Sequence, residues 1–184
     1  MRCSWVKNEQ IYIDYHDREW GRPQHNDVCL FEMLVLESMQ AGLSWLTVLR
    51  KREAFRAAFA GFDPQKVATF DEQKIAELLQ NSAIIRHRGK IVAAINNARC
   101  FCRIQEQYGS FDRFIWQYVN FKPLLGKAAT VAELPARTEL SDRISKDLQK
   151  AGFKFVGSTI VYSFMQAVGM VNDHLIDCEQ RLRV

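Results

Sequence analysis

The sequence has no long uncharged apolar run. Its most apolar stretch, VCLFEMLVLESMQAGLSWLTVL, carries Glu32 and Glu37 and breaks at Gly42, so a membrane-spanning helix is not expected. The opening segment, MRCSWVKNEQIYIDYHDREW, lacks the apolar core of a secretory signal, and the expectation is a cytoplasmic protein without membrane contact. Five cysteines, an odd number, argue against a disulfide framework. Alternating apolar and polar runs are missing, which leaves no candidate for a half-buried sheet. Internal repeats and low-complexity segments are missing too. Charge is nearly balanced: 25 Lys and Arg against 21 Asp and Glu give +4, too little to single out nucleic acid as a partner.

What remains is a helical pattern in a chain of 184 residues, long enough to bury a real core as one domain over 1–184. The periodicity predicts helices near 28–41, 44–59, 71–80, 89–107, 111–118, 139–151 and 158–170, an all-α class. Ser44 is placed as an N-cap, and Thr69 with Glu72 has the spacing of a capping box. Pro64, Pro123 and Pro135 fall between helices, where a missing N–H does no harm. The longest connection, 120–138, has room to join two helical lobes with a cleft between them. Cys29, Cys100 and Cys102 lie in apolar helical patterns and read as small buried hydrophobes. The basic clusters at 50–53, 86–90 and 150–154 each read as a solvated helix end.

Three groups of residues carry chemistry. Cys3 and His16 near the start, with His174 and Cys178 near the end, supply two thiolates and two imidazoles. Such a set suits zinc, and four protein ligands leave no open position, so the site would hold structure. It would tie the two ends of the chain together. Neither half has compact finger spacing, so four unrelated polar residues fit the spacing equally well. His25 lies in a polar loop and His87 between two arginines, and neither reads as a ligand.

The second group is the stretch LQKAGFKFVGSTIVYSFMQAVG, which reads as helix, tight hairpin, helix. Gly152 ends the first helix, Gly157 leaves the start of the second unobstructed, and Lys154 adds a positive charge. Backbone amides at such a turn attract a phosphodiester. Phe153, Phe155 and Val156 would anchor the hairpin in the core. An ordinary helical corner would read the same way.

The third is Glu37, which shares a helix face with Leu30, Met33 and Leu34 and should point inward. A buried acid is either paired or functional. Tyr12, Tyr15, Trp20 and Trp45 cluster near it in sequence. Rings around one carboxylate suit a flat cationic guest, through stacking, cation–π attraction and countercharge. Core packing accounts better for Phe31, Phe55, Phe59 and Phe164.

Taken in order, RCSWV, YHDREWG, FEMLVLESMQAGLSWLTVLRKREAFRAAF, IIRHRGKI and GFKFVGSTIVYSFMQAVGMVNDH resemble the DNA-3-methyladenine glycosylase I family, the zinc-containing branch of the helix-hairpin-helix DNA glycosylases. The resemblance spans nearly the whole chain. It implies that Cys3, His16, His174 and Cys178 bind one structural zinc. It places Glu37, Trp45, Tyr12, Tyr15 and Trp20 in a base pocket, with Glu37 as the catalytic residue that favours the charge of the base. Leu43 matches an apolar wedge that fills the gap left by a flipped nucleotide, and Gly152, Lys154 and Gly157 fall in the DNA-binding hairpin. Many members of the wider superfamily have Asp where this chain has Asn172, and no lysine suggests lyase chemistry. The implied activity is hydrolysis of the N-glycosidic bond of N3-methyladenine in double-stranded DNA by a monomer. A non-catalytic binder of damaged DNA and a hydrolase with a catalytic zinc are the competing classes.

Overall fold

The computed structural model describes residues 1–182. Ten α-helices dominate it: α1 Gln10–Arg18, α2 Asp27–Gln40, α3 Trp45–Arg50, α4 Arg52–Ala58, α5 Pro64–Ala68, α6 Glu72–Gln80, α7 Arg88–Tyr108, α8 Phe111–Trp116, α9 Glu139–Lys150 and α10 Ser158–Ala167. Against the expectation of no strands, β1 Leu124–Leu125 pairs in parallel with β2 Val171–Asn172. None of the helices among the described residues is long and apolar enough to cross a membrane.

The core forms around α2, which packs on α3, α7, α8 and α10. Every residue from Leu30 to Met39 is buried, the condition of a helix with apolar residues on all sides. Two acids share that burial. Glu32 is neutralised by Arg52 and Arg56, whose Nε atoms lie 2.6 and 2.8 Å from its Oε1. Glu37 has no such partner among the described residues. One helix thus carries a structural acid and an unpaired one, a single turn and a half apart.

Several local expectations are corrected. The predicted helix 44–59 divides at Lys51, which takes φ −102 and ψ −1 and serves as C-cap of α3 and N-cap of α4. Ser44 caps α3, accepting from the Thr47 amide. Thr69 does not open α6: its hydroxyl donates to the Lys66 carbonyl, closing α5, and Asp71 is the N-cap instead. Asp71 lies next to the helix, and its carboxylate accepts from the Lys74 amide at 2.9 Å. Pro64 does not lie between helices but opens one, at the first position of α5. Cys100 is buried, whereas Cys29 and Cys102 are only half-buried.

Lys150 and Lys154 are solvated as expected, but the clusters at 50–53 and 86–90 are not simply so. Arg52 is drawn in by Glu19 and Glu32. Lys90 is 7% exposed, and its Nζ donates to the carbonyls of Met39 and Ala41 at 2.9 and 2.6 Å. Burial lowers its pKa. The ammonium closes the C-terminus of α2, where orphan carbonyls need donors, and so holds the turn that carries Gly42 and Leu43. Lys90→Met keeps the stem and removes the donors, and each buried carbonyl left unpaired costs about 1–3 kcal/mol. The variant should unfold at a lower urea midpoint by an amount on the order of 2 kcal/mol; an unchanged midpoint would deny Lys90 that role.

Candidate active site

Glu37 opens into a cavity of about 220 Å³ lined by Trp5, Tyr12, Tyr15, Trp20, Gln40, Trp45, Val131, Leu134, Ser163 and Gln166. The volume suits one flat heterocycle better than a larger ligand. A larger cavity of about 470 Å³ lies beyond the Val131–Glu133 turn, but none of the residues singled out from the sequence lines it. The chemistry-bearing side chains converge on the smaller one.

Burial alone pushes Glu37 up to about 8, because a low-dielectric wall penalises the carboxylate and no cation offsets it. At neutral pH the empty cavity therefore holds a carboxylic acid. Burial, and then the nearby Glu37, also raise Tyr12 and Tyr15, so both phenols stay protonated. The rings form two walls. Tyr15 and Trp45 stand 5.3 Å apart, centroid to centroid. Trp5 meets Tyr12 at 5.3 Å and Trp20 at 4.9 Å. The indole N–H groups of Trp5 and Trp45 are buried without a hydrogen-bond partner among the described residues.

Trp5 is a cavity residue that the sequence reading missed. Its signal was its place two residues after Cys3, in a segment that the end-to-end clamp would hold down. Val131, Leu134, Ser163 and Gln166 were missed as well. Gln166 is held by the Asp173 carboxylate, which accepts its Nε2 at 2.8 Å and the Tyr162 hydroxyl at 2.6 Å.

Cys3, His16, His174 and Cys178 do come together. All four are buried, and their ligand atoms lie within 4.8 Å of one another. Cys178 Sγ is 3.6 Å from His16 Nε2 and 3.4 Å from His174 Nδ1, and Cys3 Sγ is 3.7 Å from His174 Nδ1. Metal–sulfur and metal–nitrogen bonds of about 2.3 and 2.0 Å in a tetrahedron give edges of about 3.4–3.8 Å. The donor set fits a closed tetrahedral ion. The outward ring nitrogens are also held: His16 Nδ1 by Asp17 Oδ1 at 2.7 Å, and His174 Nε2 by the Trp20 carbonyl at 3.0 Å. Such partners fix tautomer and ring orientation for a metal. Burial lowers His174 to about 4, so its imidazole is neutral and ready to ligate.

The cluster touches the cavity wall. His174 packs edge-on against Trp20 at 4.8 Å, and His16 against Trp5 at 5.2 Å. By contrast His25 bonds Asp112, and His87 accepts from the Lys90 amide at the start of α7. Neither is near the cluster.

The hairpin leads directly into α10, which contributes Ser163 and Gln166 to the cavity. Gly152 takes φ +97, and a Cβ there would come 3.3 Å from Cys100 Sγ. Nothing stands within 4 Å of a Cβ built on Gly157, so the approach to α10 is open. The hairpin carbonyls turn inward. Asn96 donates to Gly152, Asn97 to Lys154, Ser38 to Phe155 and Ser145 to Val156. The Lys154 amide is used by Asn97 Oδ1. The amides of Phe155, Val156 and Gly157 have no partner among the described residues, and amides left so at a helix start suit an anion. Phe153 and Val156 are buried as expected, but Phe155 is not an anchor. It is 39% exposed and takes φ +54, because the tight turn leaves its side chain on the outer surface. Leu43, also exposed, projects from the turn after Gly42, which has φ +78.

The model of the methyladenine glycosylase family matches residues 5–181. The chain belongs to that family. This glycosylase is 52% identical to DNA-3-methyladenine glycosylase 1 of Escherichia coli (strain K12), over 96% of this chain and 95% of the relative. Its fold is similar to a structure of 3-methyladenine DNA glycosylase I from Staphylococcus aureus described as the basis of 3-methyladenine recognition. The TM-score is 0.95 at 40% identity, covering 98% of this chain and 96% of that one. A variant of 3-methyladenine DNA glycosylase I in complex with 3-methyladenine is similar at TM-score 0.95 and 39% identity, covering 98% and 97%. In this glycosylase Asn172 ties the end of the chain together: its amide donates to the Arg181 carbonyl, and its oxygen accepts from the His174 amide.

Proposed function

We propose that the protein excises N3-methyladenine from double-stranded DNA by hydrolysing its N-glycosidic bond, leaving an abasic site. The observation that carries this reading is Glu37, an unpaired buried acid facing a ring-lined cavity sized for one base. A methylated purine in DNA is a cation and a good leaving group, so the protein has mainly to extrude the nucleotide and hold the base. Trp45 and Tyr15 stack on it, Tyr12, Trp20 and Trp5 close the far wall, and Glu37 supplies the countercharge. Leu43 fills the vacated stack, while Gly152, Lys154 and Gly157 shape a hairpin that holds the backbone.

The reaction is hydrolysis without strand cleavage, since no lysine lines the cavity. The Cys3, His16, His174 and Cys178 cluster binds one structural zinc. Supporting this are the donor set, its burial and the closeness of its four ligand atoms. The acting unit is a monomer and the compartment the cytoplasm, both from the sequence reading alone.

The test is to incubate methylated duplex DNA with the protein and identify released bases by chromatography. Free 3-methyladenine with intact but alkali-labile strands is expected. Tight binding to that DNA with no free base would make the protein a binder instead.

A further inference from the structure

We propose that the Ser163 hydroxyl positions the water that attacks the sugar. This deepens the excision reading above and depends on it.

The base cavity adjoins a second cavity of about 210 Å³, lined by Ala41, Gly42 and Leu43 of the wedge turn and by Thr159 and Ile160 of α10. This second space lies toward the hairpin, where a backbone would be held. Three residues line both cavities: Glu37, Gln40 and Ser163. A nucleotide with its base in the first space and its sugar in the second has its glycosidic bond at that junction. Glu37 and Gln40 reach the junction from α2. Ser163 faces them across the cleft from α10, half-buried, and its hydroxyl has no hydrogen-bond partner among the described residues.

Of the other polar groups nearby, Gln40 stands on the opposite wall on α2, Thr159 lines the second cavity alone, and two more are committed. Gln166 has its amide nitrogen on Asp173 and lines the base cavity alone. Asn172 lines neither cavity and spends its side chain on the Arg181 carbonyl and the His174 amide. The polar group left facing the sugar from α10 at the junction is Ser163. Its oxygen accepts one hydrogen of a water, which turns a lone pair of that water toward C1′. The bond from C1′ to the purine nitrogen breaks, and its electron pair neutralises the cationic base. The water oxygen bonds C1′, and the one proton left over passes to bulk solvent through the open cleft.

The experiment uses the full chain and methylated duplex DNA under single turnover. Ser163→Ala should slow excision by about 10- to 100-fold, the scale of a misplaced reactant. Affinity for free 3-methyladenine, and for duplex DNA carrying an abasic-site analogue, should stay within about twofold. Ser163→Thr, which keeps the hydroxyl, should recover most of the rate, and its isostere Ser163→Val should not. A wild-type rate in Ser163→Ala, a parallel loss of either affinity, or equal rates for Thr and Val would overturn the assignment. A wild-type protein that released no base would instead remove the excision reading itself.

Discussion

Glu37→Gln should abolish excision while making the folded protein more stable at alkaline pH. A cation held against a buried neutral amide loses its countercharge, and removing one partner of such a pair costs about 3–5 kcal/mol. If that interaction is made in the transition state, excision falls by at least about 100-fold. The stability gain follows from the acid being raised to about 8 by burial. Below the ordinary carboxylate range both the folded and unfolded chains carry a protonated Glu37, and the group contributes nothing. Between there and about pH 8 the unfolded chain ionises while the folded one resists, so stability is lost as pH rises through that window. Glutamine has no proton to lose. The melting temperature of Glu37→Gln should therefore exceed that of the wild type by little at pH 5 and by about 4–8 °C at pH 8, equivalent to roughly 2 kcal/mol. A constant difference across that range would show that Glu37 is already ionised in the fold.

The same titration sets the pH dependence of the reaction. A cationic base draws the proton off Glu37, so binding releases one proton below pH 8. The specificity constant for methylated DNA should rise with pH by up to about tenfold per unit and level off near 8. In Glu37→Gln that rise should vanish. Ordinary adenine carries no charge to draw the proton off and meets a neutral, poorly complementary wall.

Removal of the proposed zinc is the second large effect. Cys178→Ala, or prolonged chelation, should cost at least about 3 kcal/mol, a fraction of what structural zinc contributes to an isolated finger. For a chain of this size that lowers the melting temperature by about 6–12 °C. Elemental analysis should find one zinc per chain beforehand and none afterwards. Excision should fall too, because Trp20 and Trp5 rest on the imidazoles of His174 and His16. A metal-free protein with unchanged melting and excision would leave the cluster as packed thiols and imidazoles only.

The metal-ligand candidates were legible from residue type alone, and several other parts of this arrangement from strongly periodic helices. Glu37 could be placed inward because Leu30, Met33 and Leu34 mark its face. The long helix α7 and the α9–hairpin–α10 unit stood out for the same reason. Short or polar elements were lost. α1 runs through QIYIDYHDR, where charges mask the apolar face, and α5 has five residues and begins with proline. Thr69 and Asp71 both satisfy capping chemistry, and Asp71 takes the role because the Thr69 hydroxyl is spent on the Lys66 carbonyl. Phe155 reads as core by composition, yet a left-handed backbone turns it outward. Ser163 and Gln166 lie on a helix whose polar positions look like solvent-facing ones until another wall is built opposite them. That wall includes Val131 and Leu134, from a connection with no periodicity.

Cys3 and His174 meet across a sequence separation of 171 residues. Contacts that close so large a loop carry a heavy entropic cost and form only after local elements have condensed. The helices between them are therefore expected to pack first, with the cluster closing late in folding. Trp5 and Trp20, which lean on that cluster, come into register at the same moment, so a half-folded chain has a helical core but no place to receive a base.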